Sequence, residues 1–392
     1  MILPLEGITV VAIEQAVAGP LATRHLADLG ARVIKIERPD GGDFARGYDT
    51  TVHGMASWFV WLNRTKQSVT LDLKRNQGRQ VLDRLLAHAD VFVQNLAPGA
   101  TDRMGFAAAD LRRRYPRLIV CNISGYGSSG PLVDKKAYDL IIQSEVGIVS
   151  ITGTEDTPCK VGVSIADISA GMYAYSGILT ALLTRATSGE GTVVDVALLD
   201  TLGEWMGYAT YYASYGGAPP SRTGASHATI APYGPYRTND GAVVVAVQHG
   251  REWARFCGEV LGQPELAQDA RFETNASRVH HRHALSAIVE GVFSRLTSEE
   301  AIARLNAADI ANARVNSVHD FLEHPQLSAR DCWRTIPSSA GPIRALRPPV
   351  RIDGYDVAMG PVPDLGEHTE SVLEELEFDR NTIDEWKRAG VI

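Results

Sequence analysis

Cysteine is scarce and scattered in this chain of 392 residues. Cys121, Cys159, Cys257 and Cys332 form no C-x-x-C pair, which argues against both a structural zinc site and a disulfide framework and leaves buried free thiols as the expected state. Long hydrophobic runs are missing too: stretches such as 241–248 and 178–183 fall well short of the roughly 20 residues that span a bilayer, so no membrane partner is expected. The opening residues Met1-Ile-Leu-Pro-Leu-Glu-Gly7 lack the basic and apolar regions of a secretory leader, and the cytoplasm is the expected compartment. Positive charge is in deficit, 38 Lys+Arg against 46 Asp+Glu; the net charge of −8 disfavours a nucleic-acid partner. There is no internal repeat and no low-complexity tract. What is present is an ordinary globular composition, 45% hydrophobic and 21% charged, in a chain long enough for two cores. The charge is uneven. Residues 1–140 hold 18 Lys+Arg and 14 Asp+Glu, so an anionic ligand belongs to that part of the chain.

The opening stretch reads as strand, turn, helix, strand. Residues 8–13 are apolar and β-branched, Gly19-Pro20 starts a helix with Leu21, Ala22, Leu26 and Leu29 on one face, and Gly30 stops it before a strand at 33–36. Alternation continues with strands at 68–73, 91–95 and 118–124 and helices at 77–89 and 107–115, which predicts an α/β fold with a doubly wound parallel sheet. Further helices are expected at 138–148, 169–185 and 200–215, with strands at 160–165 and 193–197. Gly216-Gly217-Ala218-Pro219-Pro220 reads as a linker into a smaller α+β domain, where Thr297 and Glu300 form a capping box. Residues 333–363 are proline-rich with short β-like runs, and 367–376 reads as a final helix.

Several strings invite chemistry. Gly125-Tyr-Gly-Ser-Ser-Gly130 matches the dinucleotide fingerprint, but Pro131 and Asp134-Lys135-Lys136 stand where a helix should begin, so a structural turn is expected. Lys160-Val-Gly-Val-Ser164-Ile-Ala166 approaches a nucleophile elbow without its second glycine or a partner histidine, so Ser164 reads as a core-strand serine. His280-His281-Arg282-His283 points its side chains in different directions and reads as a solvated helix face, with no metal site. Arg112-Arg113-Arg114 reads as an exposed helix end. Asp167 lies between a predicted strand and a predicted helix. A helix N-cap is one reading; a carboxylate at the ligand-binding end of the sheet, able to form a covalent intermediate, is the other.

Taken together the strings resemble the class III coenzyme A transferase family, which includes formyl-CoA and carnitine CoA-transferases and the α-methylacyl-CoA racemases. The resemblance runs almost the length of the chain. It is carried by Pro4-Leu-Glu-Gly-Ile-Thr-Val-Val11, Ala18-Gly-Pro20, Leu26-Ala-Asp-Leu-Gly-Ala-Arg-Val-Ile-Lys-Ile-Glu-Arg-Pro39, Asn63-Arg-Thr-Lys-Gln-Ser68, Asn95-Leu-Ala-Pro-Gly-Ala100, Ser124-Gly-Tyr-Gly-Ser-Ser-Gly-Pro131, Ala166-Asp-Ile-Ser-Ala-Gly171 and Leu365-Gly-Glu-His-Thr369.

The resemblance implies a Rossmann-like large domain over 1–215, a linker at 216–232, a small domain at 233–330, and a return segment 331–392 completing the large domain, in an interlocked homodimer. It implies a CoA-transferase with Asp167 as nucleophile, passing through an aspartyl anhydride and an aspartyl-CoA thioester, with no permanently bound cofactor and acyl-CoA and a carboxylic acid as small-molecule partners. Such a carboxylate is expected to be ionised at neutral pH. The implied CoA contacts are Gln15, Ala16, Arg38, Leu71, Lys74, Asn95, Leu96, Ala100, Arg103, Met104 and Lys136. Tyr138 takes the place where the racemases need a histidine, and a phenol is a poor base at pH 7, which disfavours racemisation. Residues 224–238 are similar to the branch handling short dicarboxylates, and Tyr138, His227 and Arg237 are the implied substrate contacts. A non-enzymatic CoA-binding module is the reading of a different class.

Overall fold

The computed structural model describes residues 3–392; Met1 and Ile2, the start of the segment read for a leader, lie outside the described residues. In chain order the elements are β1 (Thr9–Ile13), α1 (Ala18–Asp28), β2 (Arg32–Glu37), α2 (Ser57–Asn63), β3 (Lys66–Thr70), α3 (Asn76–Ala87), β4 (Val91–Gln94), α4 (Ala100–Arg103), α5 (Ala108–Arg114), β5 (Ile119–Ser124), α6 (Asp139–Glu145), α7 (Ile148–Ile151), α8 (Ile165–Ser188), β6 (Val193–Ala197), α9 (Leu198–Trp205) and α10 (Gly207–Tyr215). There follow β7 (Tyr233–Arg237), β8 (Ala242–Ala246), α11 (Gly250–Arg255), α12 (Asn275–His280), α13 (Arg282–Phe293), α14 (Ser298–Ala307), β9 (Ala311–Arg314), α15 (Val318–Leu322), α16 (Pro325–Ala329), β10 (Trp333–Ile336), β11 (Ile343–Leu346), α17 (Thr369–Glu375) and α18 (Arg380–Arg388).

The chain divides into two compact units. The first comprises Met1–Val146, Gly162–Met206 and Leu327–Ile392; the second comprises Gly147–Val161 and Gly207–Gln326. In the first, six strands pair in parallel in the order β3-β2-β1-β4-β5-β6. Buried β-branched and apolar residues run along every central strand, Val11 opposite both Ile34 and Phe92, as a sheet covered on both faces requires. The chain reverses its winding between β1 and β4, and beyond the carboxyl ends of those two strands such sheets bind ligands. Val372, Leu373, Ile383 and Trp386 of α17 and α18 complete the core beside Val11, Ile36 and Val69.

The second unit is built on the antiparallel sheet β7-β8-β9. Its core gathers Tyr236, Val243 and Val245 with Trp253, Phe256, Phe272 and Phe293. The Thr297–Glu300 capping box is present, each side chain bonded to the other's backbone. Among the described residues no helix is long and apolar enough to cross a membrane.

Several local expectations are corrected. No strand occupies 160–165: Val163 is exposed, and α8 already begins at Ile165, so Asp167 sits inside its first turn and caps nothing. Ser164 is the residue preceding that helix, not a core-strand serine. The expected helix at 200–215 is two, α9 and α10, separated at Met206. The chain ends with α18, an amphipathic helix absent from the sequence reading, capped by Asp379, whose carboxylate accepts the Thr382 N–H. Cys121 and Cys257 are buried thiols, whereas Cys159 is exposed and Cys332 half-buried.

Candidate active site

The turn after β1 is held by two side chains, those of Asn95 and Asp43. Asn95, just past β4, accepts the Gln15 N–H and donates to the Gln15 carbonyl, both at 2.8 Å. Ala16 takes a left-handed conformation (φ 60°), and its N–H is accepted by the Asp43 carboxylate at 3.0 Å. Asp43 in turn accepts from Lys35 Nζ at 2.8 Å and from the Ala45 N–H at 2.9 Å.

Beneath the turn lies a buried ionic network that sequence reasoning missed. Glu14 pairs with Lys66 at 2.7 Å and with Lys35 at 3.6 Å and accepts the Thr23 hydroxyl at 2.7 Å; all three charged side chains are fully buried. Glu37 is gripped by the two 2.8 Å bonds of the Arg46 guanidinium and by the Ser68 hydroxyl at 2.6 Å. Against the burial that would raise it, these bonds and Lys35 hold the Glu37 carboxyl at about 2. For Lys66, burial outweighs the pull of Glu14 and brings the ammonium down to about 8. Part of the signal was available in the sequence: Lys35 interrupts the strand expected at 33–36, and Glu14 and Glu37 directly follow the strands expected at 8–13 and 33–36.

At the carboxyl ends of β1 and β2 and the segments following β3 and β4 opens a cavity of about 440 Å³. Seven of the expected CoA contacts line it: Gln15, Arg38, Leu71, Lys74, Leu96, Ala100 and Met104. The other four stand elsewhere. Asn95 and Ala16 shape the turn, Arg103 is exposed and donates to the Pro98 carbonyl at 3.2 Å, and Lys136 is exposed in the segment before α6. Arg38, more than half exposed, lies 3.7 Å from Asp40.

α8 packs on α1, and Asp167 near its start is not among the residues that line the 440 Å³ cavity. Its neighbour Ile168 lies against the cluster of Val17, Leu21 and Leu62, together with Ala16 and Trp58. Gly171, one turn on, makes the approach possible, since a Cβ there would stand 2.8 Å from the Ala18 carbonyl oxygen. The first turn of α8 is capped from another helix: Asp139 Oδ1 accepts the Ala166 N–H at 2.8 Å. Burial, and then the Asp139 charge, push the half-buried Asp167 carboxyl up to about 7. This corrects the expectation of a fully ionised carboxylate at neutral pH, because the low-dielectric surroundings and a like charge both favour the protonated form. Tyr48, also unmarked in the sequence, is close enough to feel Asp43, Asp167 and Tyr138; burial and these neighbours push its phenol up to about 12. Tyr138, immediately before α6, is 66% exposed. The Gly125–Gly130 turn is structural as expected: no helix follows until Asp139, and a Cβ on Gly125 would lie 2.2 Å from that of Ala137.

The second unit by itself holds a cavity of about 380 Å³ whose walls include His227, Tyr233, Tyr236, Arg282 and Ser286. His227 stacks on Tyr233 with ring centres 5.2 Å apart, and its Nδ1 accepts the Thr229 N–H at 3.1 Å, which leaves the proton of the neutral ring on Nε2. Arg237 is exposed at the end of β7 and is not part of that wall. Among the described residues no group of three or more His, Cys, Asp or Glu is arranged to hold a metal ion.

Residues 5–369 match the protein family described as CoA-transferase family III. The mouse succinyl-CoA:glutarate CoA-transferase is 32% identical over 99% of this chain and 90% of its own length. The succinate–glutarate CoA-transferase of Agrobacterium fabrum is 34% identical over 97% of both. Among solved structures, a CAIB/BAIF family protein from Brucella suis superposes with a TM-score of 0.85 at 34% identity, covering 96% of this chain and 100% of that one.

Proposed function

We propose, for a chain that belongs to CoA-transferase family III, that it transfers CoA between short dicarboxylic acids with Asp167 as the nucleophile. That it is a CoA-transferase follows from the family and from relatives named for this activity. The reading of Asp167 is supported by one observation: Ile168, its neighbour on α8, packs with Ala16 and Val17 of the turn whose Gln15 lines the 440 Å³ cavity.

The proposed reaction needs no external base. An Asp167 oxygen attacks the thioester carbonyl, the C–S bond breaks, and CoA leaves as thiolate from an aspartyl anhydride. The thiolate then attacks the aspartyl carbonyl and expels the donor acid, giving the aspartyl-CoA thioester. The acceptor carboxylate attacks that thioester, and the released thiolate attacks the acceptor's acyl carbon, which forms the new thioester and restores the Asp167 carboxylate. Arg38 and Lys74 on the cavity wall are the proposed partners of the CoA phosphates.

The substrate class is supported by the relatives named for succinyl-CoA and glutarate. With succinyl-CoA as donor, C4 and C5 dicarboxylates are expected to be converted at least about tenfold more efficiently than monocarboxylates of equal length, the scale set by one charge-assisted contact. Equal or better conversion of the monocarboxylates would overturn the dicarboxylate assignment.

A homodimer is the proposed state. Exposed apolar surface supports it: Tyr211 and Tyr215 stack on the outside of α10, Tyr215 being 84% exposed, and Leu183 stands out from α8. Analytical ultracentrifugation is expected to give twice the 42.4 kDa chain mass, and an active species of single-chain mass would contradict it.

A further inference from the structure

We propose that Asp139 is the positioning residue of the nucleophile: its carboxylate fixes the first turn of α8 from outside that helix and places a second negative charge beside Asp167, favouring the step that transfers charge away from Asp167. The proposal rests on the reading of Asp167 as nucleophile.

Both Asp139 oxygens are engaged. Oδ1 accepts the Ala166 N–H at 2.8 Å, and Oδ2 accepts from Nε2 of the fully buried Gln143 at 2.7 Å. The segment leading to it is wedged as well, since Ala137 packs where Gly125 has no side chain. The carboxylate is therefore held where it is, and with it the residue next to Asp167.

The other ionisable groups around the start of α8 are few. Tyr48 and Tyr138 are phenols, and Asp43 faces Tyr48. From α1, His25 and Asp28 meet α8 at Tyr175, two turns further on, with Arg24 beside them. Asp200 and Glu204 of α9 are exposed. Asp139, bonded to the N–H of the residue before Asp167, is a charge that acts on Asp167, in keeping with the carboxyl raised by burial and then by that charge.

The chemical consequence follows from where the electrons go. When the lone pair of an Asp167 oxygen forms the C–O bond and the C–S pair departs with sulfur, negative charge moves from Asp167 to the thiolate. Repulsion from Asp139 in the resting pair is relieved at that moment. A more basic carboxylate is also the stronger nucleophile and forms a less activated anhydride.

The test compares wild type, Asp139→Asn and Asp139→Glu by two readouts: the acid limb of kcat/KM against pH, and the ¹³C titration of the Asp167 carboxyl in the free enzyme. Wild type is expected to titrate near 7 in both. Asp139→Asn keeps an acceptor for the Ala166 N–H and removes the charge, so both should fall by about one pH unit or more. Asp139→Glu keeps the charge and should stay closer to wild type than the asparagine variant. An unchanged titration in Asp139→Asn, or an equal fall in both variants, would overturn the proposal. The reading of Asp167 is checked separately: if Asp167→Ala still transfers CoA, the nucleophile assignment fails whatever the carboxyl titration shows.

Discussion

Asp167→Asn should abolish CoA transfer, by on the order of 10³-fold or more, because in the proposed mechanism the attacking oxygen is that of Asp167. Wild-type enzyme mixed with donor acyl-CoA and hydroxylamine should acquire a hydroxamate on the peptide carrying Asp167, and the variant should not. Transfer at a tenth of the wild-type rate would sink the assignment. The same substitution should make the protein more stable at pH 8. A carboxyl raised from 3.8 to about 7 binds its proton more tightly folded than unfolded, so stability falls as pH rises between those values, and the full cost is present above about 7. Three units bound that cost at about 4 kcal/mol, less a discount for the part of the side chain that faces water. Thermal denaturation should therefore show Asp167→Asn melting above wild type at pH 8 and the two converging near pH 4. A variant that melts lower at pH 8 would show that the carboxylate supports the fold instead of straining it.

Lys66→Met should be the most damaging substitution for stability. Lys66 Nζ donates to Glu14 at 2.7 Å and to the Pro20 carbonyl and Asn63 Oδ1 at 3.0 Å each, with no exposure to solvent. Its removal leaves Glu14 with Lys35 at 3.6 Å, itself already bonded to Asp43, and so an uncompensated buried charge. The expected loss is about 3–5 kcal/mol. Because Glu14 precedes Gln15 in the turn that lines the cavity, kcat/KM should fall as well. Restoring the balance is the sharper measurement: Glu14→Gln combined with Lys66→Met should recover most of the lost stability, since the pair couples directly. Additive losses in the double variant would mean that the network acts through packing and not through charge.

The sequence by itself determined what depends on neighbours in the chain. The β1–α1–β2 unit was legible because β-branched runs, the Gly19-Pro20 start and the Gly30 stop are local signals, and Gly30 does adopt φ 98° behind α1. Residues 193–197 and the Thr297–Glu300 box were legible for the same reason. Asp167 was legible as a candidate through a motif, though its setting was not. Only the tertiary structure decided where α8 begins, because the group that caps it, Asp139, lies 27 residues away. Only packing decided that the Asp167 carboxyl is pushed up to about 7, since burial and a like charge from another helix are not properties of its own segment. The same holds for Glu14 and Lys66, 52 residues apart and meaningful only as a pair. It holds too for the division of the expected CoA contacts between a cavity wall and the turn that shapes it. Local propensity writes the elements, whereas the state of an ionisable group depends on the summed field and desolvation of everything folded around it.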